Sequence, residues 1–250
     1  MPELADPTGA TYTVCAVPIT AVDATGAATR IVRDAVEERS CQVHLCNAYT
    51  LSLVDQDDEL RTALTGADLN LADGVPVALM GRKQGMTGPV RGSELVGKVA
   101  TMGSTQVRHY LYGGKEGVAE LMADQLRRQV PGLEVAGTES PPFTPITDEH
   151  LDGLVQRVRD SGANLVWIGL GTPRQDYLVH RLADGLPMPI IPVGAAFDFW
   201  SGAIREAPRF VQGTGLEWVY RLAAEPRRLW RRYLIGNPRF LWAAFRHRGG

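Results

Sequence analysis

The sequence predicts an α/β fold: a mostly parallel sheet with flanking helices, followed by a C-terminal helical appendage. Three observations lead there. Over the first two hundred residues, short apolar runs alternate with amphipathic stretches, the pattern of strand–helix units wound around a parallel sheet. One run, residues 165–170, is almost wholly apolar, as a strand covered on both faces must be. The last fifth then changes character: residues 201–250 hold ten Arg, three Glu and no Lys, with eight of the eighteen aromatic residues. That segment carries +7 in a chain of net charge −2, which leaves −9 on residues 1–200.

Taken in order, residues 12–17 read as a strand. Beyond Asp23, the residues Ile31, Val32, Ala35 and Val36 recur at helical spacing. Residues 43–46 form a second short strand and residues 47–64 a helix. Leu69–Ala72 is a strand that ends in the turn Asp73-Gly74. Residues 109–112 are a strand running into Gly113-Gly114-Lys115, with a helix over Val118–Gln129. Pro131-Gly132 and residues 141–147 are loops, and Thr147-Asp148-Glu149 caps a helix that runs through Val158. Residues 165–170 and 190–196 supply two further strands. The composition shift sets the domain boundary: residues 1–204 form the α/β body and residues 205–250 the appendage.

Several functions are disfavoured. No apolar run reaches the eighteen residues of a bilayer-spanning helix. The opening residues lack the basic start and apolar stretch of a signal peptide, so a cytoplasmic protein is expected. Cys15, Cys41 and Cys46 are too few for a disulfide framework. His44, His109, His150, His180 and His247 are scattered and no CxxC occurs, so no metal site is expected. GxxxxGK[ST], GxGxxG and GxSxG are all missing, which argues against a Walker ATPase, a dinucleotide cofactor and a serine hydrolase.

Ligands of open parallel sheets lie at the carboxyl ends of strands. This singles out the loops at Asn47, at Asp73-Gly74, at Gly113-Gly114 and over residues 169–175. Asp73 there is either a general base or the first residue of an Asx turn with Gly74. The Gly113-Gly114 turn is either a phosphate cradle or a tight connection. Gln175 and Asp176, just after Pro173, read as caps of the next helix. Arginines interleaved with aromatics suit phosphates, an anionic membrane surface or a merely solvated helix, and a nucleic-acid backbone is the rival partner.

In order, these segments resemble the WecG/TagA/CpsF glycosyltransferase family, from Val17-Pro18-Ile19 to the C-terminal arginines. The most specific piece is Gly215-Leu216-Glu217-Trp218-Val219-Tyr220-Arg221, followed by Glu225-Pro226-Arg227-Arg228 and Arg231-Arg232-Tyr233-Leu234. Asn47, Ala67-Asp68, Ala72-Asp73-Gly74, Tyr112-Gly113-Gly114-Lys115, the Gly169-Leu170-Gly171-Thr172-Pro173-Arg174-Gln175 loop and Val193-Gly194 to Phe197-Asp198 fall in family order. The resemblance implies a Rossmann-like body and an inverting, metal-independent transfer that uses no cofactor. The donor would be a UDP-sugar, typically UDP-N-acetylmannosamine and in some relatives a glucose donor. The acceptor would be an undecaprenyl-diphosphate-linked saccharide.

Residue by residue, the resemblance makes Asp73 the base, sets Asn47 against the sugar and brings Gln175 in from the facing loop. Gly74, Gly113, Gly114 and Gly171 would border the substrate, and Arg221, Arg228 and Arg231 would meet the leaving diphosphate. Arg232, Arg239, Arg246 and Arg248, with Trp242 and Phe245, are then left for an anionic membrane surface, which puts the protein on the inner face of the cell membrane. Nucleic acid is not an expected partner, and homo-oligomer formation is left open. Three positions depart from the family: Leu45 stands where Thr is frequent, Pro89 where Arg is common (with Arg91 beside Gly92), and Glu206-Ala207-Pro208 where Arg-Ala-Pro is usual. A nucleotide-sugar-binding relative without activity is the rival of another class, and the joint presence of Asn47, Asp73 and Gln175 argues against it.

Overall fold

The computed structural model describes residues 9–141, 146–208, 211 and 214–247, with every side chain among them except that of Arg228. Eight strands form one sheet: β1 (Thr11–Val14), β2 (Val17–Thr20), β3 (Cys41–Cys46), β4 (Leu69–Ala72), β5 (Arg108–Gly113), β6 (Glu134–Glu139), β7 (Leu165–Gly169) and β8 (Pro189–Pro192). Their spatial order is β1-β2-β4-β3-β8-β7-β5-β6, with β1 antiparallel to β2 and every other neighbouring pair parallel. Around the sheet lie α1 (Ala24–Val36), α2 (Ala48–Leu53), α3 (Asp58–Thr65), α4 (Val75–Met80), α5 (Gly92–Gly103), α6 (Val118–Gln129), α7 (Asp148–Asp160), α8 (Arg174–Ala183) and α9 (Ala196–Trp200). The chain closes with α10 (Glu217–Ala224), α11 (Pro226–Leu234) and α12 (Gly236–Arg246). The fold is α/β with a C-terminal helical region.

Local chemistry accounts for the elements. The Asp23 carboxylate accepts from the Gly26 N–H at 2.7 Å and starts α1, whose Ala27, Ala28, Ile31 and Ala35 are buried. Thr147 caps α7 in the same way. Leu165, Val166, Trp167 and Ile168 of β7 are fully buried, since helices cover both faces of that strand. Leu95, Val99, Ala119 and Met122 of α5 and α6 join α1 in one core cluster, and Leu154, Leu178 and Leu182 of α7 and α8 build a second. A third gathers Val14, Ile19, Leu51 and Leu60 with Phe240, Ala243 and Ala244, so α12 is seated in the core of the body.

Four expectations are corrected. Residues 12–17 are not one strand: the chain reverses at Cys15 and Ala16, with φ of 51° and 62°, and makes the β1–β2 hairpin. The helix expected over residues 47–64 is interrupted by a 3₁₀ turn at Val54–Gln56, after which Asp57 accepts from the Leu60 N–H at 2.9 Å and starts α3. The last strand stops at Pro192, not at residue 196. Gln175 and Asp176 lie inside α8 and do not cap it.

The chain first lays down β2, β3 and β4, then crosses through α4 and α5 to the other half, so β3 and β8 meet at the centre of the sheet. Loops leaving the two halves diverge at that switch point, which opens a crevice at the carboxyl ends of the strands.

Candidate active site

A cleft of about 720 Å³ fills this crevice, walled by the loops after β3, β4, β5, β7 and β8 on one side and by α10 and α11 on the other. Its floor follows from register. Leu45 pairs with Leu71 and Cys46 with Ala72, so the next residues of the two parallel strands, Asn47 and Asp73, emerge side by side. The Asn47 Oδ1 accepts from the Tyr49 and Thr50 N–H groups at 3.0 and 3.1 Å, which caps α2 and fixes the amide plane. That plane turns Nδ2 toward Asp73, where it donates to Oδ2 at 3.3 Å. Gly74 holds φ at +95° and swings the chain into α4, leaving the Asp73 side chain over the cleft.

Asp73 opens on the cleft, yet its carboxyl lies deep, and burial pushes it above the ordinary carboxylate range. Arg232, the amide of Asn47 and then Arg221 pull it back down, while Glu217 pushes it up. Burial also lowers the Arg232 guanidinium, but a group that starts so basic stays cationic.

The facing loops come together as closely as two strands can. Gly113 pairs with Gly169, and a Cβ at Gly113 would lie 2.5 Å from the Gly169 backbone. The Gly114 N–H donates to the Gly169 carbonyl at 3.0 Å, and the Gly171 N–H to Gln175 Oε1 at 3.0 Å. Gly114 and Gly171 border the cleft, but both N–H groups are satisfied within the protein; Gly74 and Gly113 shape the backbone behind the wall. Gln175 is buried against this loop and still reaches the cleft. Beneath it, Gln42 Nε2 donates to His44 Nε2 at 2.9 Å, which leaves the ring proton on Nδ1, 2.9 Å from Asp176 Oδ1. His44 and Asp176 are fully buried, so this contact fastens β3 to the start of α8.

The C-terminal helices close the remaining side. Pro226 breaks the helix as its missing N–H requires, yet Arg221 before the break and Arg231 after it both line the cleft. Arg221 lies 5.5 Å over the Phe199 ring and Arg231 5.2 Å over Trp230. The Arg228 side chain is outside the described residues. Arg232, expected at the membrane, is instead turned into the cleft, 5.2 Å over the Tyr49 ring. Leu229, 3% exposed, anchors α11 inward, and the break at Pro226 resets which arginines follow it into the site. Arg239 and Arg246 are exposed, and Arg248 lies outside the described residues.

Other cleft residues were not among the sequence candidates. Arg91 grips Glu217 of α10 through both Nε and Nη2, the latter at 2.7 Å, and the Ser93 hydroxyl donates to Glu206. Arg91, the arginine found in place of one at Pro89, and the departure at Glu206 thus sit where the body meets the C-terminal segment. Leu45, the third site of departure, is part of the cleft floor. Among the described residues, no three His, Cys, Asp or Glu side chains are placed to hold a metal ion, and no helix is long and apolar enough to cross a membrane.

The family model for the glycosyl transferases of the WecG/TagA/CpsF family matches residues 12–250, nearly the whole chain. The chain belongs to that family. It is a glycosyltransferase, with a sugar donor and an acceptor to hold, and both halves of the sheet and α10–α11 converge on the cleft that Asp73 lines.

Proposed function

We propose that the protein transfers a hexosyl group, N-acetylmannosamine in the leading case, from a UDP-sugar to an undecaprenyl-diphosphate-linked saccharide. Asp73 on the cleft floor carries this reading: a carboxylate fixed by Asn47 and faced by guanidinium groups. It takes the proton of the acceptor hydroxyl. That oxygen bonds to the anomeric carbon while the bond from this carbon to the UDP oxygen breaks. The electron pair departs on UDP, and displacement from the opposite face inverts the centre.

Arg221 and Arg231 meet the charge that develops on the leaving diphosphate, work that a bidentate guanidinium does without a metal ion. Arg228 is grouped with them from its place in the family motif. Gln175 braces the facing loop and orients the donor. Asn47 has its carbonyl engaged in the α2 cap, so only its amide N–H groups are available to the sugar.

Residues 1–204 serve as the transferase body and residues 205–250 as an appendage that closes the site and rests on the inner face of the cell membrane. Leu241, Trp242 and Phe245 on the outer side of α12 are 66%, 68% and 70% exposed, and Arg239 and Arg246 accompany them. Aromatics with arginines on an exposed helix face favour an anionic bilayer. The polymer under construction is a cell-surface polysaccharide or teichoic acid.

The test is transfer from a panel of UDP-sugars, UDP-N-acetylmannosamine and UDP-glucose included, to undecaprenyl-diphosphate-N-acetylglucosamine, with the anomeric configuration of the product read by NMR. An inverted product from one of these donors is expected. Transfer with retained configuration, or none from any UDP-sugar, overturns the proposal.

A further inference from the structure

The charges that act on Asp73 have an uneven origin. Both cations come from the C-terminal helices: Arg232 from α11, the stronger, and Arg221 from α10. The body offers the neutral amide of Asn47 and, beneath, the Cys46 thiol, which burial keeps protonated. Glu217 of α10 opposes the cations but is itself gripped by Arg91 of the body. Among these groups, the body by itself sets no cation against the carboxyl.

Arg232 is also held in place. Its guanidinium lies 5.2 Å over the Tyr49 ring, the Tyr49 N–H donates to Asn47 Oδ1 at 3.0 Å, and Asn47 Nδ2 donates to Asp73 Oδ2 at 3.3 Å. Gly236 also packs against Tyr49, where an added Cβ would lie 2.9 Å from the ring. The Arg232 Nε is buried and has no hydrogen-bond partner among the described residues.

We propose that Arg232 is a positioning residue that favours the carboxylate form of Asp73 from across the cleft they both line. This rests on reading Asp73 as the base. A buried carboxyl drifts toward the neutral acid, which cannot accept a proton, and a nearby cation opposes the drift. Removing the cation therefore favours the protonated form and moves the titration up. Activity is then lost on the acidic side and recovered on the alkaline side.

The experiment uses the full chain with ¹³C-labelled aspartate and follows the Asp73 carboxyl carbon by NMR against pH, the signal being assigned by its loss in Asp73→Asn. Arg232→Gln should move the midpoint upward, while Arg232→Lys, which keeps the charge, should hold it near the parent. In transfer from UDP-N-acetylmannosamine, the ratio of kcat/KM on the acid limb to that on the alkaline plateau should fall about tenfold in Arg232→Gln, the low end of what a close opposite charge does to a carboxyl, with the plateau retained. An unmoved midpoint overturns the proposal whether or not transfer is found, because the titration needs no substrate. An unmoved midpoint with turnover lowered at every pH makes Arg232 a direct ligand of the substrate instead. Should Arg232→Gln fail to fold, Arg232→Met keeps the aliphatic stem against Tyr49 and carries the same readout; failure of both to fold assigns Arg232 a structural role and also overturns the proposal.

Discussion

Removing the appendage whole would be a poor test of membrane attachment, because Phe240, Ala243 and Ala244 of α12 are part of the core of the body. The double substitution Trp242→Ser with Phe245→Ser leaves that inner side alone and changes only the outer one. Trp242 and Phe245 are 68% and 70% exposed. Taking about 150–250 Å² for each aromatic side chain, the exposed parts sum to roughly 200–350 Å². With half of that area entering the bilayer interface at about 25 cal/mol per Å², the pair contributes about 2.5–4.5 kcal/mol. Loss of most of it should weaken binding by about 100-fold or more. Arg239 and Arg246 add on the order of 1 kcal/mol each, a share that salt should remove. Co-sedimentation with vesicles, with and without phosphatidylglycerol, reads both contributions. Transfer to a short-chain, water-soluble acceptor should stay at the parent rate, since neither residue lines the cleft. A double variant that sediments as tightly as the parent would refute the reasoning, and the outer side of α12 would then have some other use.

Asp73→Asn keeps the Asn47 contact but removes the proposed base; turnover should fall about 10²–10⁴-fold while UDP affinity by calorimetry stays unchanged, and near-parental turnover would rule Asp73 out. Transfer should survive EDTA if, as proposed, guanidinium groups carry the diphosphate charge; abolition by chelation with rescue by Mg²⁺ or Mn²⁺ would show that a metal does that work. Phe240→Ala should cost about 3–5 kcal/mol of stability in urea unfolding, as for a fully packed aromatic; a loss below about 1 kcal/mol would mean that α12 sits only lightly on α2.

Which parts of this architecture could be read from the sequence follows from what each signal encodes. The 26-residue interval between Asn47 and Asp73 equals the offset between paired residues of β3 and β4, so two strand-end residues read separately turned out to be neighbours. The helix Val118–Gln129 was legible to the residue because its apolar period is clean between two breakers. The β1–β2 hairpin was not, since Cys15 and Ala16 hold positive φ without the Gly or Asn that ordinarily marks such a turn. Strand β6 carries Glu134, Ala136, Gly137 and Glu139 at the sheet edge, half-exposed, and so lacks the apolar run that betrays a buried strand. In α5, Gly92, Gly97 and Gly103 dilute the helical pattern that Leu95, Val96 and Val99 maintain.

The arginines were the hardest to place, and the reason is physical. Spacing says which side chains share a helix face but not which face meets the cleft. That choice is made by Leu229 and by the break at Pro226, which separate Arg221 from Arg232 by a helix boundary and still bring both to Asp73. Helix α12 meets the same ambiguity from the other side: Phe240, Ala243 and Ala244 are buried while Leu241, Trp242 and Phe245 are exposed beside Arg239 and Arg246, so large apolar side chains lie on two sides of it. A helix of that kind needs cover on both sides. The body supplies one cover through α2, and in the proposed arrangement the bilayer supplies the other. The inner contact sets Gly236 against Tyr49, the ring under Arg232. In the proposed arrangement, anchoring and the tuning of Asp73 therefore meet at one aromatic ring, which is where a substitution should separate a protein that docks from one that also turns over.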